Sequence, residues 1–401
     1  MTADAGIQVL VLNSGSSSLK FGVFETGPGC IDALVTGEAT AIGTDGGFNA
    51  KDAAGREISE HTRFEDHRHV ISRLLRLLGD WNLPPPAAVG HRIVHGGPKL
   101  GQHCVIDRRV LEILKSAIAF APLHIPEALS LIRAATDLFP DLPQVACFDT
   151  SFHRSMPDIA RTLPIPRALE ADGIHRYGFH GLSCESIVAQ LGAALPERLV
   201  IAHLGNGASI TAVKGGRSMD TSMGLTPTGG VMMGTRSGDL DPGVVLYLLR
   251  EKKMDVAALE GLLDLQSGLL GVSGVGSDMR ALQAVALVDP DARLAIDMFG
   301  YQVRKAIAGM TAVMGGVDGL VFTGGIGQND SSLRAAICQG LDWMGVALDP
   351  AYNRSGSGSI QSLASRCTVA VLPSQEDEQI AWHTHALVRS HKSADSATRD
   401  G

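Results

Sequence analysis

Two arginines stand among glycines rather than on any amphipathic helix stripe: Arg92 in HRIVHGG and Arg236 in GTRSG. A guanidinium is a permanently charged planar fork that matches carboxylate and phosphate oxygens. Glycine-rich tracts accompany them. Residues 9–24 read VLVLNSGSSSLKFGVF, a β-favouring run, a Gly/Ser turn and a second strand. Small turn residues let the backbone approach a ligand, and successive N–H groups form an anion-binding concavity. Ser16, Ser17 and Ser18 add hydroxyls and Lys20 adds a cation. Residues 199–215, LVIAHLGNGASITAVKG, repeat the pattern when Gly207 is set on Gly15, and a third glycine-rich turn, FTGGIGQN, spans 322–329. None of the three is a G-x-x-x-x-G-K-[ST] loop. Two arginines beside such turns suit an acyl phosphate.

The elements that must position these groups alternate between short apolar runs and helical stripes. Strands are predicted at 31–42, 87–94, 144–148, 199–215 (as a hairpin), 319–322 and 368–372, with a further hairpin or loop at 44–60. Asp66 and Asp107 can cap helices, and another helix is expected over 127–139. Ser183 can cap one running to Leu195, and Asp241-Pro242 starts one. Long helices are expected at 292–314 and 376–388. Residues 220–241 read as a Gly/Thr/Met loop, and long loops in compact domains are usually functional. Asn13, His95, Asp149, His203 and Thr323 fall at or near strand carboxyl ends, where α/β sheets collect ligands, so they are expected to face one cleft. An Asp at a strand end equally suits a structural ion pair. His91 and His95 are four apart, but Ile93 and Val94 make the segment a strand, so the pair is not a zinc motif.

The 401 residues, 45% of them hydrophobic, allow two domains, with the second half beginning near Thr150. A net charge of -8 without a basic run argues against nucleic acid and anionic membranes as partners. No run reaches the ~18 apolar residues of a membrane span. The start, MTADAGIQ, does not read as a secretory signal, and the six cysteines lack C-x-x-C spacing. Buried reduced thiols in a cytoplasmic protein are expected.

The segments NSGSSSLK, HRIVHGG, FDTSFH, RYGFHGLS, HLGNGAS, MGTRSGDLDPG, SGLLGVSG and FTGGIG occur in order between residues 13 and 327. In this the chain resembles the acetokinase family, of the acetate and sugar kinase/Hsp70/actin superfamily. The resemblance implies an α/β fold: two ribonuclease H-like domains with mixed sheets flanked by helices and an active-site cleft between them. It implies domains at 1–149 and 150–376, a C-terminal helix at 377–401 that crosses back to the first, and a homodimer. It also implies reversible in-line phosphoryl transfer between ATP and acetate, giving acetyl phosphate and ADP, with Mg2+ or Mn2+.

By the same resemblance, Arg92 and Arg236 hold the carboxylate and the transferring phosphoryl group. Asn13, Asp149 and Glu376 surround the metal and attacking group, with Asn13 and Glu376 as ligands and Asp149 orienting the nucleophile. His124, His180 and His203 line the phosphoryl path. Val94, Leu123, Phe179 and Pro227 form the acyl pocket. The nucleotide falls to Ser16, Ser18, Lys20, to His203, Leu204, Gly205, Asn206 and Gly207, to Asp278, Met279 and Arg280, and to Gly324, Gly325, Ile326, Gly327 and Asn329. Departures from the family pattern are Gln328 for Glu, Glu378 for Leu, and Thr226-Pro227-Thr228-Gly229-Gly230, whose extra glycine predicts a looser loop. The competing readings are a propionate or butyrate kinase and a chaperone- or actin-like ATPase module.

Overall fold

The computed structural model describes residues 6–15 and 18–399, with side chains through 391. The chain divides into two compact units: Met1–Ser151 with Gln375–Gly401, and Phe152–Ser374.

The first unit carries β1 (Ile7–Ser14), β2 (Leu19–Gly27), β3 (Cys30–Thr40), β4 (Asp45–Asp52) and β5 (Glu57–Arg63). Helix α1 (His67–Asp80) follows, then β6 (Ala88–Ile93), β7 (Cys104–Val105), α2 (Arg108–Ser116), α3 (Ile125–Leu138) and β8 (Gln144–Phe148). The sheet order is β5-β4-β3-β2-β1-β6-β8-β7. β1, β2 and β3 are antiparallel, whereas β6 and β8 extend the sheet parallel to β1. Central parallel strands are buried on both faces, which is why residues 9–12 are unbroken Val and Leu and are fully buried. The Asp66 carboxylate accepts from the His69 amide at 3.0 Å and caps α1. Val70, Ile71, Leu74, Leu77 and Leu78 of that helix enter a core with Leu10, Phe21, Phe48 and Leu131. The C-terminal helix, Glu376–Arg399, packs on β1, β6 and β8 of this unit.

The second unit runs through α4 (Asp158–Arg161), α5 (Gly181–Leu191), β9 (Arg198–Leu204), β10 (Ala208–Lys214) and β11 (Arg217–Thr221). Five helices come next: α6 (Pro242–Arg250), α7 (Val256–Leu265), α8 (Gly268–Ser273), α9 (Met279–Val285) and α10 (Pro290–Met314). It closes with β12 (Gly319–Thr323), α11 (Gly324–Asn329), α12 (Ser331–Cys338), α13 (Pro350–Ser355), β13 (Gly358–Ser359) and β14 (Thr368–Val371). The sheet order β11-β10-β9-β12-β14-β13 repeats the core of the first sheet. Three antiparallel strands are again followed by two parallel to the first. This repeated order is the ribonuclease H-like arrangement that the resemblance implies.

Three local expectations are corrected. The stretch after β12 is not a turn but the helix α11, which starts at Gly324. Gly324 has φ +78°, and a Cβ there would lie 2.6 Å from the Leu204 carbonyl oxygen, so only glycine fits. Ser183 does not cap α5. It lies inside the helix, and His180 takes the cap with φ +56°. Cys30 is exposed and Cys104 half-buried, whereas the other four cysteines are buried. Among the described residues, no helix is long and apolar enough to cross a membrane.

Candidate active site

In the first unit the carboxyl ends of β1, β6 and β8 lie side by side, because those strands are parallel neighbours. Leu12 is paired with His91, and Ile93 with Phe148. This register delivers Asn13, Arg92 and Asp149 to one edge. Arg92 Nη2 donates to Asp149 Oδ2 at 2.6 Å, and Nε donates to the same carboxylate at 3.1 and 3.2 Å. Arg92 Nη1 donates to Asn13 Oδ1 at 3.2 Å, and Asn13 Nδ2 donates to Asp377 Oδ1 at 3.0 Å. Asp149 is 1% exposed. Burial opposes the charge on Arg92, but Asp149, Glu376 and Asp377 outweigh it and hold the guanidinium above its ordinary range. The Asp377 carboxyl is pushed up by burial and by Glu376, against the pull of Asn13, Lys20 and Arg92. Glu378 is also pushed up by burial. Lys20 is the cross-strand partner of Asn13 and is exposed.

Asp377, which was not among the expected site residues, touches Asn13 beside Glu376. It was passed over because three acidic residues in a row give no periodicity to choose among them. The oxygen-only set of Asn13, Asp149, Glu376 and Asp377 fits a hard divalent cation. Burial first, and the neighbouring Glu376 after it, raise the Asp377 carboxyl.

The other expected groups of this unit are placed less tightly. Gly15 N–H donates to the Ser18 carbonyl at 2.8 Å, closing the first turn, while Ser16 and Ser17 lie outside the described residues. His124 sits at the N-cap of α3, with Leu123 exposed beside it, and Val94 is half-buried just past β6. His95 is buried and accepts from the Gly97 amide through Nδ1 at 2.8 Å.

In the second unit the hairpin between β9 and β10 forms the turn 205–207. Gly205 N–H donates to the Gly207 carbonyl at 2.9 Å. His180 and His203 stack with ring centroids 4.2 Å apart and 18° between planes. His180 Nδ1 is 3.0 Å from Ser209 Oγ, and His203 Nδ1 is 2.8 Å from Ser183 Oγ. Those contacts leave each Nε2 toward the turn. A Cβ on Gly207 would lie 3.1 Å from His180 Nε2 and 3.4 Å from Arg236 Nη1, and one on Gly205 would lie 3.6 Å from His203 Nε2 and 3.9 Å from the Gly325 amide. The turn, both imidazoles, Arg236 and the start of α11 thus share one site. Asn206 is held over Gly234, whose amide donates to the Asn206 carbonyl at 3.1 Å.

Ser183 and Ser209 orient the two rings, a task the sequence reading did not give them. Each lies within a motif already singled out, RYGFHGLS and HLGNGAS, which was the available signal.

Phe179 is buried, and its carbonyl accepts from His153 Nε2 at 2.8 Å. Arg236 Nη1 donates to the Pro227 carbonyl at 3.3 Å. Leu204 is buried between β10 and α11 neighbours, and Asn329 Nδ2 donates to the Gly325 carbonyl at 2.8 Å, within α11. Gly327 is buried and Ile326 half-buried. Asp278 caps α9 and pairs with Arg280 at 2.7 Å on the surface, while Met279 is buried. Gln283 on α9 donates to Asp330 at 2.5 Å, tying that helix to the residue after α11.

Comparison with known proteins gives the family. The model of the Acetokinase family matches residues 8–382. An acetate kinase of Nitrobacter hamburgensis is 42% identical over 395 residues, spanning 96% of this chain and 97% of that protein. The crystal structure of a propionate kinase from Francisella tularensis subsp. tularensis superposes with a TM-score of 0.88 at 38% identity, covering 95% of this chain and all of that one. That of Porphyromonas gingivalis acetate kinase gives 0.84 at 36%, with the same coverage. On a match of this extent, the chain belongs to the acetokinase family, whose members are kinases that phosphorylate a carboxyl group.

Proposed function

We propose that this protein transfers the γ-phosphoryl group of ATP to acetate, reversibly, giving acetyl phosphate and ADP. The observation that carries the reading is the Gly207 turn set against the His180 imidazole and the Arg236 guanidinium. Phosphoryl transfer asks a protein for in-line placement and for neutralisation of charge on the equatorial oxygens. His180 Nε2 and Arg236 are donors suited to those oxygens, and the turn supplies the backbone surface a phosphate chain needs. Ser209 holds Nδ1 of His180, and Nε2 lies on the side of the Gly207 turn.

In the first unit, Arg92 is assigned to the carboxylate and phosphoryl oxygens, and Asp149 fixes the guanidinium in its forked geometry. Asn13 and Glu376 would hold Mg2+ or Mn2+, which would supply neutralisation of phosphate charge when bound. Asp377 orients the Asn13 amide. We assign the units Met1–Ser151 with Gln375–Gly401 and Phe152–Ser374 as the two functional domains and propose that their half-sites serve one substrate pair. Their chemistries are complementary: the first supplies carboxylates and Arg92, the second the glycine turn, the imidazoles and Arg236.

Val94, Leu123, Phe179 and Pro227 are proposed to receive the acyl methyl group. A pocket discriminates one methylene by only ~1–3 kcal/mol, so propionate should also react. The likeness to a propionate kinase keeps that acceptor as the second reading. We also propose a homodimer in the cytoplasm. Supporting it, Val244, Leu246 and Tyr247 are exposed on α6, as are Leu294 and Tyr301 on α10, and such apolar exposure marks association surfaces.

The test is hydroxylamine trapping with ATP, acetate and magnesium. Acetyl hydroxamate accompanied by ADP release is expected. Its absence, with propionyl hydroxamate formed instead, would transfer the assignment to the second reading.

A further inference from the structure

The end of α7 holds both the loop that carries Pro227 and the segment that carries Arg236. Asp264 Oδ1 accepts from the Thr228 hydroxyl at 2.5 Å, one residue beyond Pro227. The Asp264 carbonyl accepts from the Thr235 hydroxyl at 2.8 Å, one residue before Arg236. The neighbouring Leu263 carbonyl accepts from the Ser237 amide at 3.0 Å, one residue after it. The Thr235 carbonyl accepts from the Ser267 amide at 2.9 Å. Within this frame Arg236 Nη1 donates to the Pro227 carbonyl. Asp239 Oδ1 adds a further tie by accepting from the Gly230 amide at 2.7 Å. The loop expected to be loose is thus fastened at Pro227 itself and at Thr228 and Gly230 after it.

We infer that Asp264 is a positioning residue that sets the acyl-pocket wall at Pro227 in register with Arg236 and thereby tunes which short carboxylates the enzyme accepts. This rests on the proposed carboxylate phosphorylation and goes beyond it by naming a specificity device outside the pocket. The side chain holds the wall and the main chain holds the arginine, so the separation between them is set by one residue. A donor to a carboxylate gives a stronger bond than one to a neutral acceptor. A carboxylate in this place therefore fixes Thr228 more firmly than an amide would. Displacing the wall by a fraction of an ångström costs the small acyl group its contacts and gives a larger one room.

The test uses Thr228→Val, Asp264→Ala and the double variant. For the single variants, kcat/KM for acetate is expected to fall about tenfold, the size of effect for losing a hydrogen bond to a charged group. The acetate-to-propionate ratio of kcat/KM is expected to fall with it, while KM for ATP stays within twofold. The double variant should be no worse than Asp264→Ala alone, since both substitutions break one contact. Unchanged acetate-to-propionate ratios in both single variants, or a rise in KM for ATP equal to that for acetate, would overturn the inference. The strap is also read without turnover, by amide exchange over residues 226–238. Thr228→Val should accelerate exchange there and leave residues 199–214 as they were; unchanged exchange at 226–238 would overturn it even in an enzyme that phosphorylates a different acid. Failure of the wild type to phosphorylate any carboxylate would instead overturn the underlying function, whatever the exchange shows.

Discussion

Arg92 and Asp149 are locked in a forked ion pair, three N–H···O contacts of 2.6 to 3.2 Å, with the carboxylate almost wholly withdrawn from water. Removing one member strands the other. Asp149→Asn keeps the shape and loses the charge. It should lower kcat by two orders of magnitude or more. Arg92→Met leaves a buried carboxylate uncompensated and should cost about 3–5 kcal/mol of stability. Urea unfolding of both variants checks the contrast: if Arg92→Met unfolds at the wild-type midpoint, the pair is not the structural anchor described.

Arg236 answers to a different measurement. Arg236→Ala should lower kcat by about 10²–10³, the loss seen when one transition-state donor is removed. Arg236→Lys should restore little, because a point charge cannot replace the fork. Circular dichroism melts distinguish lost chemistry from lost fold, and near-normal turnover with a wild-type melt would contradict the role.

Gly207→Ala probes the convergence in the second unit. Its methyl group would sit 3.1 Å from His180 Nε2 and 3.4 Å from Arg236 Nη1. The imidazole, stacked on His203 and held by Ser209, has little room to yield. The KM for ATP should rise at least tenfold, with the KM for acetate much less affected. Equal shifts in both would speak against the turn as a phosphate cradle.

The acid limb of stability follows from two buried histidines. Burial pushes His91 down to about 4, against the raising contact with Gln144, and pushes His153 down to about 4 as well. The ordinary value is 6.5, so between pH 6.5 and 4 the unfolded chain binds more protons than the folded one. The stabilisation is complete above pH 6.5 and is lost as pH falls through that window, up to about 3 kcal/mol for each ring. His91→Gln should lower the slope of unfolding free energy against pH there by the share of one ring, against the opposing share of Glu127, whose carboxyl burial pushes up to about 7. An unchanged slope would mean that His91 is not excluded from charge in the folded state.

Much of this fold could be read from sequence where one force dominates. The fully buried strands announced themselves as unbroken Val and Leu, and β8 lies where its apolar run predicted, with Asp149 next. Asp66, Asp107 and Asp241 cap the helices expected of them. The reading failed where tertiary contacts override local preference. The sequence FTGGIGQN looks like a turn, yet α11 forms because Gly324 fits its positive φ beneath the Leu204 carbonyl. Ser183 looked like a cap, but its hydroxyl is spent on His203. Asp377 and Asp264 were invisible for a common reason. Each acts through a partner more than thirty residues away, and an acidic residue carries no mark in sequence of whom it meets.

Phosphorus NMR of the wild-type enzyme with acetyl phosphate, ADP and magnesium tests the central claim most directly. The acetyl phosphate resonance should be replaced by those of ATP, at a rate abolished by omitting ADP. Release of orthophosphate without ATP, or no reaction at all, would contradict it.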